Sequence, residues 1–587
     1  MGSVRITVGM GSCGIASGAG KIYNLLRREI KRKGIKNIEV EKTGCLGICK
    51  YEPIVEVYKD GNRITYIHVK KEDVPKIINS TKSNEVVKEC VINTENNNIT
   101  GDNFYKSQTR TVLNNCGFIN PENIEEYGNY DALRKVLTSM TKEEVIKEIK
   151  ESNLRGRGGA GFKTGLKWEL AYNSIDDTKY VCCNADEGDP GAFMDRAILE
   201  GDPHSVIEAM IIAAYAVSAN HGFIYVRAEY PLAVQRLKIA IKQAREKNFL
   251  GKNIMGTDFS YDLKIRLGAG AFVCGEETAL MASIEGKRGE PKKRPPFPTT
   301  RGLYNKPTLL NNVETYANVP KIILKGSRWF NQIGTERSKG TKVFALGGNI
   351  NNTGLVEVPI GTSLKEIIYN IGGGIPNNKK FKAAQTGGPS GGCIPESLID
   401  INMDYENLTE IGSMMGSGGL IVMDEDTCMV DIAKFFLKFT VDESCGKCVP
   451  CRIGTKRVYE ILDNITTGKA SIEDLKLLEE LSHHIKNASF CGLGQAATSP
   501  VLSTMKFFHD EYIEHIQNKR CPAGVCKDLI TFKIDKEKCK RCGACARNCP
   551  VKAIVGNRDI PYEIRQEICV KCGACKRNCK FNAIDIV

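Results

Sequence analysis

The chain is 587 residues long with 42% hydrophobic and 26% charged residues, which describes an ordinary globular protein too long for one core, so about four domains are expected. No run of eighteen apolar residues occurs and MGSVRITVGM lacks the apolar core of a signal peptide, so neither a membrane span nor export is expected, and the expected compartment is the cytoplasm. The formal charge of +13 does not imply nucleic acid: residues 519–587 hold 16 Lys+Arg against 7 Asp+Glu, and metal-bound thiolates in the same segment would cancel about half of that surplus. What remains suits an acidic redox partner.

In chain order, residues 1 to about 80 alternate strand-like and helix-like runs: Val4 to Val8, Lys21 to Lys33, Ile38 to Glu41, Ile54 to Tyr58 and Arg63 to His68. This is a small α/β layout containing Cys13, Cys45 and Cys49. Residues 81 to about 130, with NTENNNITGDN at the centre, read as an extended connection in which Cys90 and Cys116 have no assigned role. Thr141 to Asn153 reads as a helix, with a Thr141/Glu144 capping box and an apolar face of Val145, Ile146 and Ile149.

The glycine-rich stretch LRGRGGAGFKTGLKW, Leu154 to Trp168, follows that helix. Gly156, Gly158 and Gly161 match G-x-G-x-x-G, but a dinucleotide-binding turn follows a strand, and this one does not. Bare backbone together with Arg155, Arg157, Lys163 and Lys167 suits a phosphorylated cofactor. Strands at Tyr180 to Cys183, Gly222 to Arg227 and Asp262 to Leu267 alternate with helices at Val206 to Ser218 and Leu232 to Lys247, the rhythm of a mainly parallel sheet. Polar clusters gather at its strand ends: NADEGDPG after Cys183, then GAGAFVCGEETAL, where Gly275 is expected to open a helix, then KKRPPFP and LLNNVET with Arg294. Residues 341 to 400 read as small α+β, with strands at Lys342 to Ala345 and Leu355 to Val358, a helix at Ser363 to Ile371, and Cys393 as a structural thiol. Helices are then expected at Val430 to Phe439, Lys456 to Asn464, Ile472 to Lys486 and Val501 to Ile516.

Cysteine is the unusual count, 24 in all and fourteen from Cys445 onward, in C-x-x-C spacing that signals metal ligation in a reducing compartment. Cys445, Cys448 and Cys451 with remote Cys491 form a [4Fe-4S] ligand set. An internal repeat gives two C-x2-C-x2-C-x3-C runs, whose fourth cysteines exchange in two-cluster ferredoxins. Cys539, Cys542, Cys545 and Cys579 then hold one cluster, and Cys569, Cys572, Cys575 and Cys549 the other. Cys521 and Cys526 with His515 and Cys428 form a candidate zinc site; the alternative is a pair of free buried thiols.

Residues 141 to about 515 resemble the family of flavin-bearing, NADH-oxidising subunits of respiratory complex I and of soluble NAD-dependent hydrogenases and formate dehydrogenases, through RGRGGAGF, NADEGDPGAF, GAGAFVCGEETAL, PPFP, LNNVET and SCGKCVPCRIG. Lys163 stands where the family usually has Pro, and Phe272 where it often has Tyr. The resemblance implies that Gly156, Arg157, Gly158, Gly159, Lys167, Asn184, Asp186, Gly275, Glu276, Glu277, Leu310, Asn311, Asn312 and Thr315 hold FMN. It implies that Phe162, Glu187, Asp189, Glu277 and Phe297 border NAD(H), with no residue acting as a general acid or base. The N-terminal region resembles the thioredoxin-like [2Fe-2S] domain, but Val8 or Gly18 stands where its fourth cysteine would be, so it reads either as a three-thiolate site or as a degenerate docking module.

The expected architecture is multidomain α/β and α+β: a thioredoxin-like domain (1–85), a linker (86–135), a Rossmann-like FMN and NAD domain (136–335), a β-grasp domain (336–410), a helical bundle with one [4Fe-4S] (420–518) and a two-cluster ferredoxin (519–587). The fused ferredoxin resembles the β subunit of electron-bifurcating iron hydrogenases, which implies an iron-hydrogenase catalytic subunit, a small [2Fe-2S] thioredoxin-like subunit and ferredoxin as partners. A diaphorase subunit of a soluble formate dehydrogenase and a non-catalytic electron-transfer scaffold are the competing readings.

Overall fold

Strand Tyr180–Ala185, expected from its apolar run, lies inside a four-stranded sheet ordered Asp262–Gly268, His221–Arg227, Tyr180–Ala185, Thr308–Asn312. The computed structural model describes residues 4–83, 86–92, 104–105 and 107–586. All three strand pairings in this sheet are parallel, with Tyr180 opposite His221 on one side and Thr308 on the other. Parallel sheets are covered by helices, so their strands and covering helices read as apolar throughout. Helix Pro203–Val217 is buried along its whole length apart from Tyr215. The register brings Asn184 level with Asn312, so polar side chains of neighbouring strands emerge together at the carboxyl end.

The chain forms two compact units, Met1–Val422 with Phe490–Leu493, and Met423–Ser489 with Gly494–Val587. In the first, the N-terminal sheet is ordered Ile38–Thr43, Val4–Gly9, Val55–Lys59, Asn62–Tyr66, with one parallel pairing and two antiparallel ones. A third, five-stranded sheet pairs Thr341–Gly348 antiparallel with Gly354–Pro359 and parallel with residues 419–422. The helix expected at Ser363 to Ile371 is a wide π turn over Glu366–Ile371.

The segment read as a linker divides. NTENNNITGDN lies outside the described residues. Residues 107–135, in contrast, are built into the core: Val112, Leu113 and Cys116 are buried, and helix Asp131–Ser139 buries Ala132, Leu133 and Val136. The cause is a long-range acceptor, the buried Glu357 carboxylate, which takes the amides of Thr111, Val112 and Leu113 at 2.8–2.9 Å.

The second unit holds helices Met429–Glu443, Thr455–Thr466 and Ile472–Ala488, followed by Ser499–Phe507 and His509–Gln517. The sequence pattern reads the last two as one. Phe508 breaks them at φ −132°, ψ 36°, and the turn lets the buried Tyr512 hydroxyl meet Thr504 Oγ1 at 2.8 Å. Two short antiparallel pairs, Phe532–Ile534 with Ile584–Ile586 and Ile554–Val555 with Glu563–Ile564, complete the repeat-containing C-terminal part, which shares one apolar core with the helices.

Candidate functional site

The glycine loop folds back on itself. Arg155 and Lys163 form an antiparallel bridge, Gly156 N donates to Phe162 O at 2.8 Å, and Thr164 N donates to Leu154 O at 2.9 Å. Helix Lys142–Glu151, capped by Thr141 and Glu144 as expected, precedes it, so the glycines are approached from a helix. Arg155 binds Glu406 at 2.5 Å and lies over the Tyr405 ring, whose hydroxyl donates to Gly156 O at 2.8 Å. The loop is thus fixed from outside while its inner face stays bare. A Cβ on Gly158 would stand 3.1 Å from Asn312 Cβ, and Gly159 has φ +131°, a conformation that suits glycine.

Between this face and the carboxyl ends of the parallel strands lies a cleft of about 840 Å³. Of the expected flavin residues, Gly156, Gly158, Gly159, Lys167, Asn184, Gly275, Glu276, Glu277, Leu310, Asn311, Asn312 and Thr315 line it. A second cleft of about 860 Å³ adjoins it and shares Ala160, Phe162, Lys167, Glu277, Arg294 and Leu310 with it. Phe297 lines the second cleft, and the rings of Phe162 and Phe297 are 48% and 56% exposed. Both rings therefore offer apolar faces to a ligand in the second cleft.

The polar walls are organised by strand ends and helix starts. Asn184 Nδ2 donates to Gly275 O at 2.9 Å. Gly275 ends a short 3₁₀ turn rather than opening the helix; Glu276 is the cap, accepting from Thr278 N and Ala279 N, and the helix is Glu277–Ile284. Asn312 caps helix Val313–Lys325, whose Thr315 Oγ1 accepts from Arg157 N at 2.8 Å. Arg294 Nη1 binds Glu277 at 2.6 Å, and Lys167 Nζ lies 4.0 Å from the same carboxylate. Burial lowers the Lys167 pKa, opposed by Glu277 and reinforced by Arg294.

Four of the expected residues stand elsewhere. Arg157 is fully buried and its guanidinium donates to the carbonyls of Thr341, Arg155 and Lys339, so it anchors the loop from behind and does not reach the cleft. Asp186 is buried just past the strand end. The Glu187 carboxylate accepts from Asp195 N and Arg196 N at the start of helix Met194–Gly201, and burial pushes its pKa up to about 7. Asp189 accepts from Ser417 Oγ at 2.7 Å, and burial pushes it up to about 6. Sequence reasoning passed over Asp195, which receives Asn312 Nδ2 at 2.5 Å and so orients a cleft residue. It also left Ala160 unassigned as a cleft wall, while Arg294, expected among the polar clusters, lines both clefts. Bare loop backbone, amide side chains and the Lys167 cation fit the phosphate and ring edges of a flavin nucleotide.

Residues 149–321 match the Nuo51 FMN-binding domain, residues 431–515 the NADH-ubiquinone oxidoreductase-F iron-sulfur binding region, residues 343–394 the SLBB domain and residues 532–555 a 4Fe-4S binding domain. The NADP-reducing hydrogenase subunit HndC of Solidesulfovibrio fructosivorans is 58% identical over 460 residues, 78% of this chain and 94% of that protein. This chain belongs to the Nuo51 flavoprotein family. The F 2 polypeptide of the NADH-quinone oxidoreductase of Rhizobium meliloti is 46% identical over 68% of this chain and 94% of that protein. Among solved structures, the NAD+-reducing [NiFe]-hydrogenase in the H2-reduced state matches with TM-score 0.63 at 28% identity, covering 88% of this chain and 85% of that one.

The cysteine-rich second unit of this Nuo51-family chain brings several of the expected ligands together. One small cavity is lined by Cys539, Cys542, Cys545 and Cys579, and another by Cys549, Cys569, Cys572 and Cys575. Each holds three thiols of one repeat and one of the other, the crossed pairing expected from the spacing. Cys445, Cys448 and Cys451 lie between helices Met429–Glu443 and Thr455–Thr466, with Ser444 Oγ 3.3 Å from Cys451 Sγ. Cys491 falls in the segment Phe490–Leu493 that groups with the first unit. The ligand atoms of Cys428, His515, Cys521 and Cys526 all lie within 4.8 Å of one another, and all four residues are buried. His515 Nε2 is 3.3 Å from Cys428 Sγ and 3.4 Å from Cys526 Sγ, while its Nδ1 is tied to Glu511 O at 2.6 Å, which fixes the ring.

Proposed function

We propose that this chain is the NAD(H)-oxidising flavin and iron-sulfur subunit of a multimeric, electron-bifurcating hydrogenase. The observation that supports it most is the continuity of the two clefts, which share Lys167 and Glu277 and are flanked by the exposed rings of Phe162 and Phe297. FMN, when bound, supplies the chemistry, accepting a hydride as two electrons and passing them on singly. The chain's own residues do the rest. The bare backbone of Gly158 and Gly159, with Asn311, Asn312 and Thr315, seats the flavin phosphate and ring edge, and Lys167 supplies positive charge beside it. Phe162 and Phe297 hold the adenine of the nicotinamide nucleotide, which keeps the reacting ring against the flavin. No side chain needs to move a proton; Glu187 instead holds the first amides of helix Met194–Gly201 and Asp189 holds Ser417, both away from the two clefts.

Cys445, Cys448, Cys451 and Cys491 would hold one [4Fe-4S] cluster and the two crossed C-terminal sets one each, groups that would supply one-electron carriers between the flavin and ferredoxin. Cys428, His515, Cys521 and Cys526 would hold zinc, which has no redox chemistry and would serve as a structural clamp. The partners are an iron-hydrogenase catalytic subunit and a small [2Fe-2S] thioredoxin-like subunit. NADP(H) is a second reading for the nucleotide, favoured by the name of the 58% identical relative. The test is dye reduction by the FMN-loaded chain with each nucleotide in turn. Turnover with either one supports the reading and identifies the nucleotide; none with FMN bound would make the chain an electron-transfer scaffold. Bifurcation is tested in the complete complex, where hydrogen-driven nucleotide reduction should require ferredoxin.

A further inference from the structure

The turn that carries Asn311, Asn312 and Thr315 into the flavin cleft is held from behind by Asp195, a side chain that does not line the cleft. Asn312 ends strand Thr308–Asn312 and caps helix Val313–Lys325, its Oδ1 accepting from Glu314 N at 2.9 Å and Thr315 N at 3.4 Å. Its other amide atom, Nδ2, donates to Asp195 Oδ2 at 2.5 Å. With both ends of the amide engaged, the oxygen faces the helix amides and the nitrogen faces Asp195. An amide nitrogen carries two N–H groups, and Asp195 takes one. The second is left for a ligand: Asn312 lines the cleft, and a Cβ on Gly158, in the bare loop, would stand 3.6 Å from Nδ2.

Asp195 makes this contact from a fixed and unfavourable position. It stands in the first turn of helix Met194–Gly201, is 3% exposed, and its backbone N–H is tied to the Glu187 carboxylate at 3.0 Å. Its Oδ1 is buried with no hydrogen-bond partner in the protein. Burying a carboxyl group with one oxygen unpaired destabilises a fold, and departures of that kind collect at functional sites. Burial, with Glu187 and Glu314 nearby, raises the Asp195 pKa well above the ordinary aspartate range, opposed by Lys342. What Asn312 meets is therefore an acceptor oxygen more than a negative charge.

We propose that Asp195 is a positioning residue for the flavin nucleotide: it holds Asn312 with an N–H directed into the cleft, and FMN affinity depends on Asp195 through Asn312. The inference rests on the reading of this cleft as the FMN site and adds to it a residue outside the cleft.

The apo form of the full-length chain is titrated with FMN, and quenching of flavin fluorescence reads Kd. Asp195→Leu, close in shape but without an acceptor, should raise Kd about 5- to 30-fold, the effect of losing one buried hydrogen bond. Asp195→Asn, which can present a neutral acceptor oxygen in the same place, should stay within about 3-fold of wild type. Asn312→Ala should weaken binding by itself, and adding Asp195→Leu to it should change Kd by less than about 2-fold, because the route of the effect is gone. Should Asp195→Leu lack a cooperative unfolding transition, the smaller Asp195→Val takes its place in both steps. Equal Kd for wild type and Asp195→Leu, a Kd for Asp195→Asn as weak as that for Asp195→Leu, or an undiminished effect of Asp195→Leu on top of Asn312→Ala would each overturn the inference while leaving the flavin site standing. A wild-type chain that binds no FMN would overturn the flavin reading, and the inference with it.

Discussion

Truncating the two exposed rings of the nucleotide cleft gives the sharpest test of how the substrate is held. Phe162 and Phe297 are 48% and 56% exposed, so Phe162→Ala and Phe297→Ala open no core cavity and should change folding stability by no more than about 0.5 kcal/mol. Stacking of a base on an aromatic ring contributes about 1–3 kcal/mol by alanine substitution. Each single variant should therefore raise KM for the nicotinamide nucleotide by roughly 5- to 140-fold. Because the adenine is remote from the transferred hydride, that loss is uniform between ground and transition states, and kcat should hold. The double variant should lose less than the sum of the singles, since one ring's worth of sandwich is already gone in either. Steady-state dye reduction across nucleotide concentrations, with a direct binding titration to separate KM from Kd, reads all of this. A double variant with unchanged KM, or one in which kcat falls and KM does not, would refute the sandwich.

Gly158→Val, whose Cβ would press on Asn312 at 3.1 Å across the flavin cradle, should yield protein without FMN and without dye reduction, while C-terminal cluster absorbance and iron content persist; flavin released on denaturation is the measure. Lys342 and Glu314 form an ion pair with side chains 0% and 1% exposed, so Lys342→Met alone should cost about 3–5 kcal/mol in chemical denaturation and Lys342→Met with Glu314→Leu should recover most of it. His515→Ala or Cys428→Ser should remove one zinc per chain by metal analysis and lower the midpoint of thermal unfolding, and a strong chelator applied to wild type should lower it in the same way.

The sequence carried the parts of the fold that depend on near neighbours. The Thr141 capping box, the parallel strands and the cysteine spacings are short-range patterns, and they appear where expected. The cleft residues were legible because glycines and amide side chains at strand ends have few structural uses in such density. Residues whose role depends on a distant partner were not legible. Arg157 reads as a phosphate ligand until the carbonyls of Thr341 and Lys339 turn it inward, and residues 107–135 read as a linker until Glu357, more than two hundred residues away, gathers their amides. Asp195 gave no signal at all, because a carboxylate that orients Asn312 is indistinguishable in sequence from one that faces water.

The crossed cysteine sets of the C-terminal repeat carry a consequence for biogenesis. Neither repeat can furnish a complete shell for its own cavity, since Cys579 closes the first and Cys549 the second. A ribosome must therefore deliver Cys579, forty positions after Cys539, before the first cavity is whole. Assembly of anything held by the two cysteine sets is thereby coupled, since each shell borrows one thiol from the other repeat. A chain truncated after the first repeat should therefore lose both four-cysteine shells, not one.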